Sequence, residues 1–198
     1  MIKFLHHILT SPQVSIVLRK IVENNFKKEK AVIRKYFSAG PGERVLDLGC
    51  GTGEFSGLFP AKNYLGIDID PKNIAYSQKH HQGEFQVADA RRLLFANESF
   101  DKVLVVGVLH HLSAPDCRLV LKEIKRVLGQ SGRVLVMEDT RSRRLTVRYM
   151  QSVDQGAFIR EFSEWETLVS EEFIIQKSGT FDSGACFYSY FLASKASP

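Results

Sequence analysis

The stretch VLDLGCGTGEF, residues 45–55, places Gly49, Gly51 and Gly53 at the end of a short apolar run, with Asp47 before them and Glu54 after. A dinucleotide fold uses G-x-G-x-x-G there, so that backbone approaches a pyrophosphate and a helix N-terminus receives it. Glu54 stands where the third glycine of that pattern belongs. Two unit charges of like sign about 4 Å apart repel by about 1 kcal/mol in water and about 4 kcal/mol at an effective dielectric near 20. Asp47 and Glu54 would both oppose a pyrophosphate; a nucleoside carrying positive charge reverses that sign.

Outward from this stretch the chain alternates strands and helices. RVLDLG (44–49) reads as a short buried strand, and a helix is predicted to open after Thr52. NYLGIDID (63–70), EFQVADA (84–90), FDKVLVVG (100–107) and GRVLVMED (132–139) are four further strands. Pro71 starts one helix, and CRLVLKEIKRVL (117–128) is an amphipathic helix that Gly129 and Gly132 are expected to end. Before the first strand, Val14, Val17, Leu18, Ile21, Val22, Phe26, Val32 and Ile33 predict a helix over Pro12 to Phe37, split near Asn24 and Asn25. Near the C-terminus, EFIIQKS and CFYSYFLAS predict two antiparallel strands joined by a loop with Gly179, Asp182 and Gly184. Such alternation implies an α/β fold, with ligands at the carboxyl ends of parallel strands. That edge collects Asp68, about 20 residues past the glycines and able to accept ribose hydroxyls, and Asp89, followed by Ala90, within reach of an adenine amine.

The 198 residues suit one domain with its own core, and 44% hydrophobic with 25% charged residues is ordinary for a globular chain. Net charge is +5, yet the basic residues are scattered apart from KKEK (27–30) and RSRR (141–144), less than a dedicated duplex-DNA binder shows. Cys50, Cys117 and Cys186 are odd in number and form no C-x-x-C pair, which reads as a reducing cytoplasm. The opening MIKFLHHILTSPQVSIVL is interrupted by His6, His7 and Pro12 and reads as a short amphipathic helix rather than a signal peptide. The longest apolar run, VLVVGVL (103–109), falls far short of the roughly 20 residues that span a bilayer.

Taken together, VLDLGCGTG (45–53), GIDIDP (66–71), VADA (87–90), SFDKVLVVGVLHHL (99–112) and IKRVLGQSGRVLVMED (124–139) resemble the class I S-adenosylmethionine-dependent methyltransferases. The resemblance is to the small single-domain type that includes the ubiquinone and menaquinone enzymes, and it is close over residues 31–139. It implies a Rossmann-like three-layer sandwich, with a seven-stranded, mostly parallel sheet whose last strand is antiparallel. The whole chain, 1–198, would be one methyltransferase domain, with a helical cap at 1–38 and an acceptor-specificity insert at 140–170. S-adenosylmethionine is the implied cofactor. Gly49, Cys50 and Gly51 would present backbone to its methionine part, Asp68 would hold its ribose, Asp89 with Ala90 its adenine, and the Val106 carbonyl would lie near its amino group, with Asp47 and Ile69 as further cofactor-binding residues.

Family members place the stretch holding His110, His111 and Leu112 over the methyl-transfer cleft, which makes His110 and His111 the candidate bases; packing or backbone contacts are the plainer reading of paired histidines. The resemblance also compares this stretch with the metal-binding acids of ubiquinone O-methyltransferases. Gly107 and His110 stand in their place, and magnesium prefers oxygen ligands, so no metal is expected. Asp139 is either a second polar contact or a solvated cap. In the insert, Arg141, Arg143, Arg144, Arg148 and Arg160 would bind an anionic acceptor and Tyr149, Phe158, Phe162 and Trp165 wall an apolar pocket, against a plainer reading of solvated arginines over an aromatic core stripe.

A small organic acceptor, anionic or amphiphilic, is the leading expectation, with peripheral membrane contact left open and no stable nucleic-acid partner. An RNA or protein methyltransferase is the first alternative, weakened by the lack of an Asn/Asp-Pro-Pro-Tyr motif after the fourth strand. A noncatalytic S-adenosylmethionine-binding partner or sensor is the second, and the intact glycines and acids count against it.

Overall fold

The protein is described by a computed structural model that covers residues 24–142, 144, 147, 151, 158–184 and 186–196. The strands are β1 (Val45–Leu48), β2 (Tyr64–Asp68), β3 (Glu84–Val87), β4 (Phe100–Val106), β5 (Leu128–Asp139), β6 (Ile174–Asp182) and β7 (Phe187–Ser194). The helices are α1 (Lys27–Tyr36), α2 (Pro71–His80), α3 (Ala114–Val127) and α4 (Phe162–Ser170). The strands form one seven-stranded sheet in the order β3-β2-β1-β4-β5-β7-β6. The first five are parallel, and β7 runs antiparallel to both β5 and β6.

Central strands are apolar at successive positions because both faces are covered, as parallel sheets require. Leu46, Leu48, Val103, Val105, Val134 and Val136 face one core with Val120, Leu121 and Ile124 of α3 and Trp165, Leu168 and Val169 of α4. Val45, Leu104, Leu135 and Met137, one residue out of phase, face the other with Phe26, Ile33 of α1 and Ile74 of α2. Helix starts are fixed locally. Asp70 caps α2 by accepting from the Lys72 N–H, ahead of Pro71, and Ser113 caps α3 by accepting from the Asp116 N–H. Glu161 and Glu164 form a reciprocal capping box at α4.

Three local expectations fail. No helix opens after Thr52; turns and a 3-10 turn at Ser56–Leu58 follow, because Gly51 (φ 53°) and Gly53 (φ 83°) take left-handed conformations that interrupt a right-handed helix. Gly129 and Gly132 are not left-handed caps of α3; they lie within β5, which starts directly at Leu128. Gly179 and Asp182 lie in β6 rather than in the loop. The break near Asn24 and Asn25 is present, with Asn24, Asn25 and Phe26 all left-handed ahead of α1. The remainder of the helix predicted from Pro12, with His6, His7, Arg143, Arg148 and Tyr149, lies outside the described residues.

Candidate cofactor and transfer site

The carboxyl ends of β1 to β4 open onto a cavity of about 540 Å³. Asp47, Gly49, Cys50, Gly51, Asp68, Ile69, Asp89, Ala90 and Val106 all line it, so the sequence-derived cofactor residues meet at one place. The first loop is cinched to β2: the Cys50 N–H donates to the Ile67 carbonyl at 2.8 Å, and the Gly51 N–H donates to Asp68 Oδ2 at 2.9 Å. Asp68 Oδ1 accepts from the Asp70 N–H at 2.8 Å and from Asn73 Nδ2 at 3.3 Å. A side chain at Gly49 (φ 71°) would collide with Val108, whereas a Cβ at Gly51 would meet nothing within 4 Å. The first glycine permits loop contact; the second leaves open space beside the cavity.

Asp47 is 1% exposed, and its Oδ2 accepts from the Tyr64 hydroxyl at 2.6 Å. Burial pushes its carboxyl up to about 7 despite that bond, and the neighbouring Asp68 charge adds to the rise. Burial, with the Asp47 and Asp68 charges, likewise pushes the Cys50 thiol far up, so Cys50 stays a neutral wall. Asp89 is held below the usual carboxylate range by the Arg91 guanidinium, which bonds both of its oxygens, the shortest contact being 2.7 Å. Arg91 also lines the cavity and lies 3.7 Å from Asp116.

The two histidines separate. His111 is exposed and lines the cavity beside Leu112 and Val108. His110 is 5% exposed and absent from the lining; its Nδ1 lies 2.8 Å from Glu138 Oε2, at the end of β5. The His110 ring packs behind Gly107, turned to a buried carboxylate, so of the two candidate bases it is His111 that the structure brings to the cavity. Asp139 is also buried and turned inward, accepting from the Thr140 N–H and from Gln151 Nε2. Arg160 is 9% exposed and donates to the carbonyls of Leu109, Leu112 and Phe158 while lying over the Trp165 ring. Arg144 pairs with Asp182 and Arg141 Nε donates to the Ile159 carbonyl, so these three insert arginines are engaged within the chain. Trp165 and Phe162 pack in the core, while Phe158 is 42% exposed.

Sequence reasoning missed Phe26, Phe55 and Glu138. Phe26 and Phe55 pack edge-to-face and line the cavity. Glu138 had a faint signal: a charged residue directly after four apolar positions of a strand.

A family model described as a methyltransferase domain matches residues 46–136. Over those residues, a little under half of the chain, it carries a methyltransferase domain, and the match with the class I S-adenosylmethionine-dependent methyltransferases rests there. Among curated relatives, demethylmenaquinone methyltransferase of Thermotoga maritima is 36% identical over 117 residues, 57% of this chain and 50% of that protein. Probable tRNA methyltransferase 9B of Mus musculus is 32% identical over 97 residues, 48% of this chain and 22% of that one. The chain thus matches half or less of these relatives' lengths. Magnesium protoporphyrin IX methyltransferase from Synechocystis, solved with bound SAH, superposes with a TM-score of 0.71 at 16% identity, covering 90% of this chain and 87% of that one. The 4+2 cyclase SpnF superposes at 0.72 and 17% identity, covering 86% and 82%, so the fold alone does not fix the reaction.

The cofactor of these methyltransferases is S-adenosylmethionine, and the residues at this cavity fit its chemistry. Carboxylates at three strand ends, Asp47, Asp68 and Asp89, line a cavity suited to a nucleoside with a cationic tail, and the missing side chain at Gly51 leaves room for it. Among the described residues no group of His, Cys, Asp and Glu is arranged to hold a metal ion, and no helix is long and apolar enough to cross a membrane.

Proposed function

We propose that the chain transfers the methyl group of S-adenosylmethionine to a small amphiphilic organic acceptor. The observation that carries this reading is the cavity's division: acids and glycine backbone at β1 to β3, and Phe26, Phe55, Val108, Leu112 and His111 on the other walls. When bound, the cofactor supplies an electrophilic methyl on a sulfonium. Asp47 would sit against positive charge, Asp68 would accept ribose hydroxyls, and Asp89 and Ala90 would take adenine, with the Val106 carbonyl turned to the amino group. The apolar walls would exclude water and align the acceptor, and alignment alone is worth roughly 7–11 kcal/mol in intramolecular models. His111 would accept the proton from an acceptor that must lose one.

The anionic half of the acceptor expectation loses support, because Arg141, Arg144 and Arg160 are engaged elsewhere. The test is release of S-adenosylhomocysteine against a panel of amphiphilic phenols, amines, lipids, peptides and RNA. Turnover with an amphiphilic small molecule supports the reading; binding of S-adenosylmethionine without turnover on any member favours a sensor or partner protein.

One observation favours RNA as a second reading. The outward side of α1 is basic: Lys27, Lys28, Arg34 and Lys35 are exposed, and Lys35 and Lys177 flank a stacked Tyr36–Tyr190 pair. Lys30 lies over the ring of Phe26, a buried residue of the cavity lining, which ties this basic helix to the cavity. An RNA substrate would show affinity falling steeply with salt, as each phosphate neutralised adds about −0.7 to the log–log slope for a single strand.

A further inference from the structure

The turn after β4, Leu109–His111, carries His111 to the cavity, and its backbone is gripped from two directions. From below, Glu138 Oε1 accepts the N–H groups of Val108 at 3.0 Å and Leu109 at 2.8 Å, while Oε2 accepts the His110 N–H at 3.2 Å and faces His110 Nδ1 at 2.8 Å. Glu138 is fully buried. From above, the carbonyls of Leu109 and Leu112 accept from Arg160, and that of His110 accepts from the Phe158 N–H at 2.9 Å.

We propose that Glu138 is the positioning residue of the transfer site, an internal anion that shapes the turn and orients His110, so that the Val106–Leu112 wall and His111 are set before cofactor and acceptor arrive. This rests on the methyltransferase reading of the cavity. Three backbone N–H groups converge on the two oxygens of one side chain, so both oxygens are held as acceptors. A neutral His110 that donates to Glu138 through Nδ1–H is fixed in one tautomer, with Nε2 unprotonated. The His110 ring lies 4.1 Å, centroid to centroid, from that of His111, so its orientation bears directly on the residue at the cavity. Glu138 itself does not line the cavity, and its influence passes through the turn.

The test uses the full chain with ¹⁵N-labelled histidine, S-adenosylhomocysteine as the probe, and Glu138→Gln as the variant. In the wild type, His110 should show protonated Nδ1 and unprotonated Nε2, and the His111 ring signals should shift on adding the probe. In Glu138→Gln an amide nitrogen replaces one acceptor oxygen. The His110 tautomer should invert or average, the His111 response should shrink, and probe affinity by calorimetry should fall tenfold or more while the sheet amides stay protected from exchange. A folded variant with wild-type tautomer and affinity overturns the proposal. So does a wild-type His110 protonated at Nε2 alone, a readout that stands even if the variant fails to fold. If the wild type binds neither S-adenosylmethionine nor the probe, the reading of the cavity falls by itself, and the tautomer still decides whether Glu138 orients the ring.

Discussion

Asp47 is a carboxylate kept out of water on a strand that parallel pairing surrounds on both sides. With its carboxyl raised from 3.8 to about 7, the folded state holds a proton that the unfolded chain releases in that window. Its contribution to stability is full below the unfolded value and is lost as pH rises to about 7. Asp47→Asn should remove that decline. Urea unfolding of both proteins from pH 5 to pH 8 should show the variant gaining on the wild type by about 3 kcal/mol, since about two pH units of the window fall in that range at roughly 1.4 kcal/mol each; parallel curves would count against it. A cationic ligand next to Asp47 favours the carboxylate, so wild-type binding of S-adenosylmethionine near pH 6 should release protons, and the variant should not. Calorimetry in buffers of different ionisation enthalpy reads that difference. At Gly49, alanine would meet Val108 at a positive φ, and a loss of about 1–3 kcal/mol in stability is expected, measured by the same unfolding curves.

At the scale of elements, the grip on the turn after β4 makes its own prediction. Arg160→Ala leaves the Leu109, Leu112 and Phe158 carbonyls without their guanidinium donor. A buried acceptor left unsatisfied costs about 1–3 kcal/mol, and since the Leu109 carbonyl keeps the Leu112 N–H and Phe158 is exposed, the variant should lose an amount in that range. Hydrogen exchange should accelerate first over residues 108–112. Uniform acceleration across the sheet would mean a general packing role instead.

The strands were legible because apolar runs of four to eight residues between turn signals admit few other readings. The helix expected after Thr52 was not, because the glycines that favour a ligand loop also forbid right-handed helix at Gly51 and Gly53. His110 and His111 are adjacent and chemically identical in sequence. Only the position of Glu138, 28 residues from His110 in the chain, tells the buried ring from the exposed one. The insert arginines looked available for the same reason: a sequence does not show which carbonyls a guanidinium will find.

For the molecule as a whole, the sheet order sets β1 between β2 on one side and β4 on the other, so the glycine loop opens where the order of strands reverses. In open α/β sheets that crevice is where ligands bind. Acids from three neighbouring strand ends line that crevice, and under the proposed reading they would select the nucleoside. Much of the basic charge lies on the exposed side of α1, away from the acids of the strand ends. The most direct measurement is calorimetric titration of the intact chain with S-adenosylmethionine and, separately, with NAD. Binding of S-adenosylmethionine at about micromolar affinity, about −8 kcal/mol, lost in Asp68→Ala and Gly51→Arg and absent for NAD, is the predicted result. Firm binding of NAD with none of the sulfonium nucleoside would contradict it.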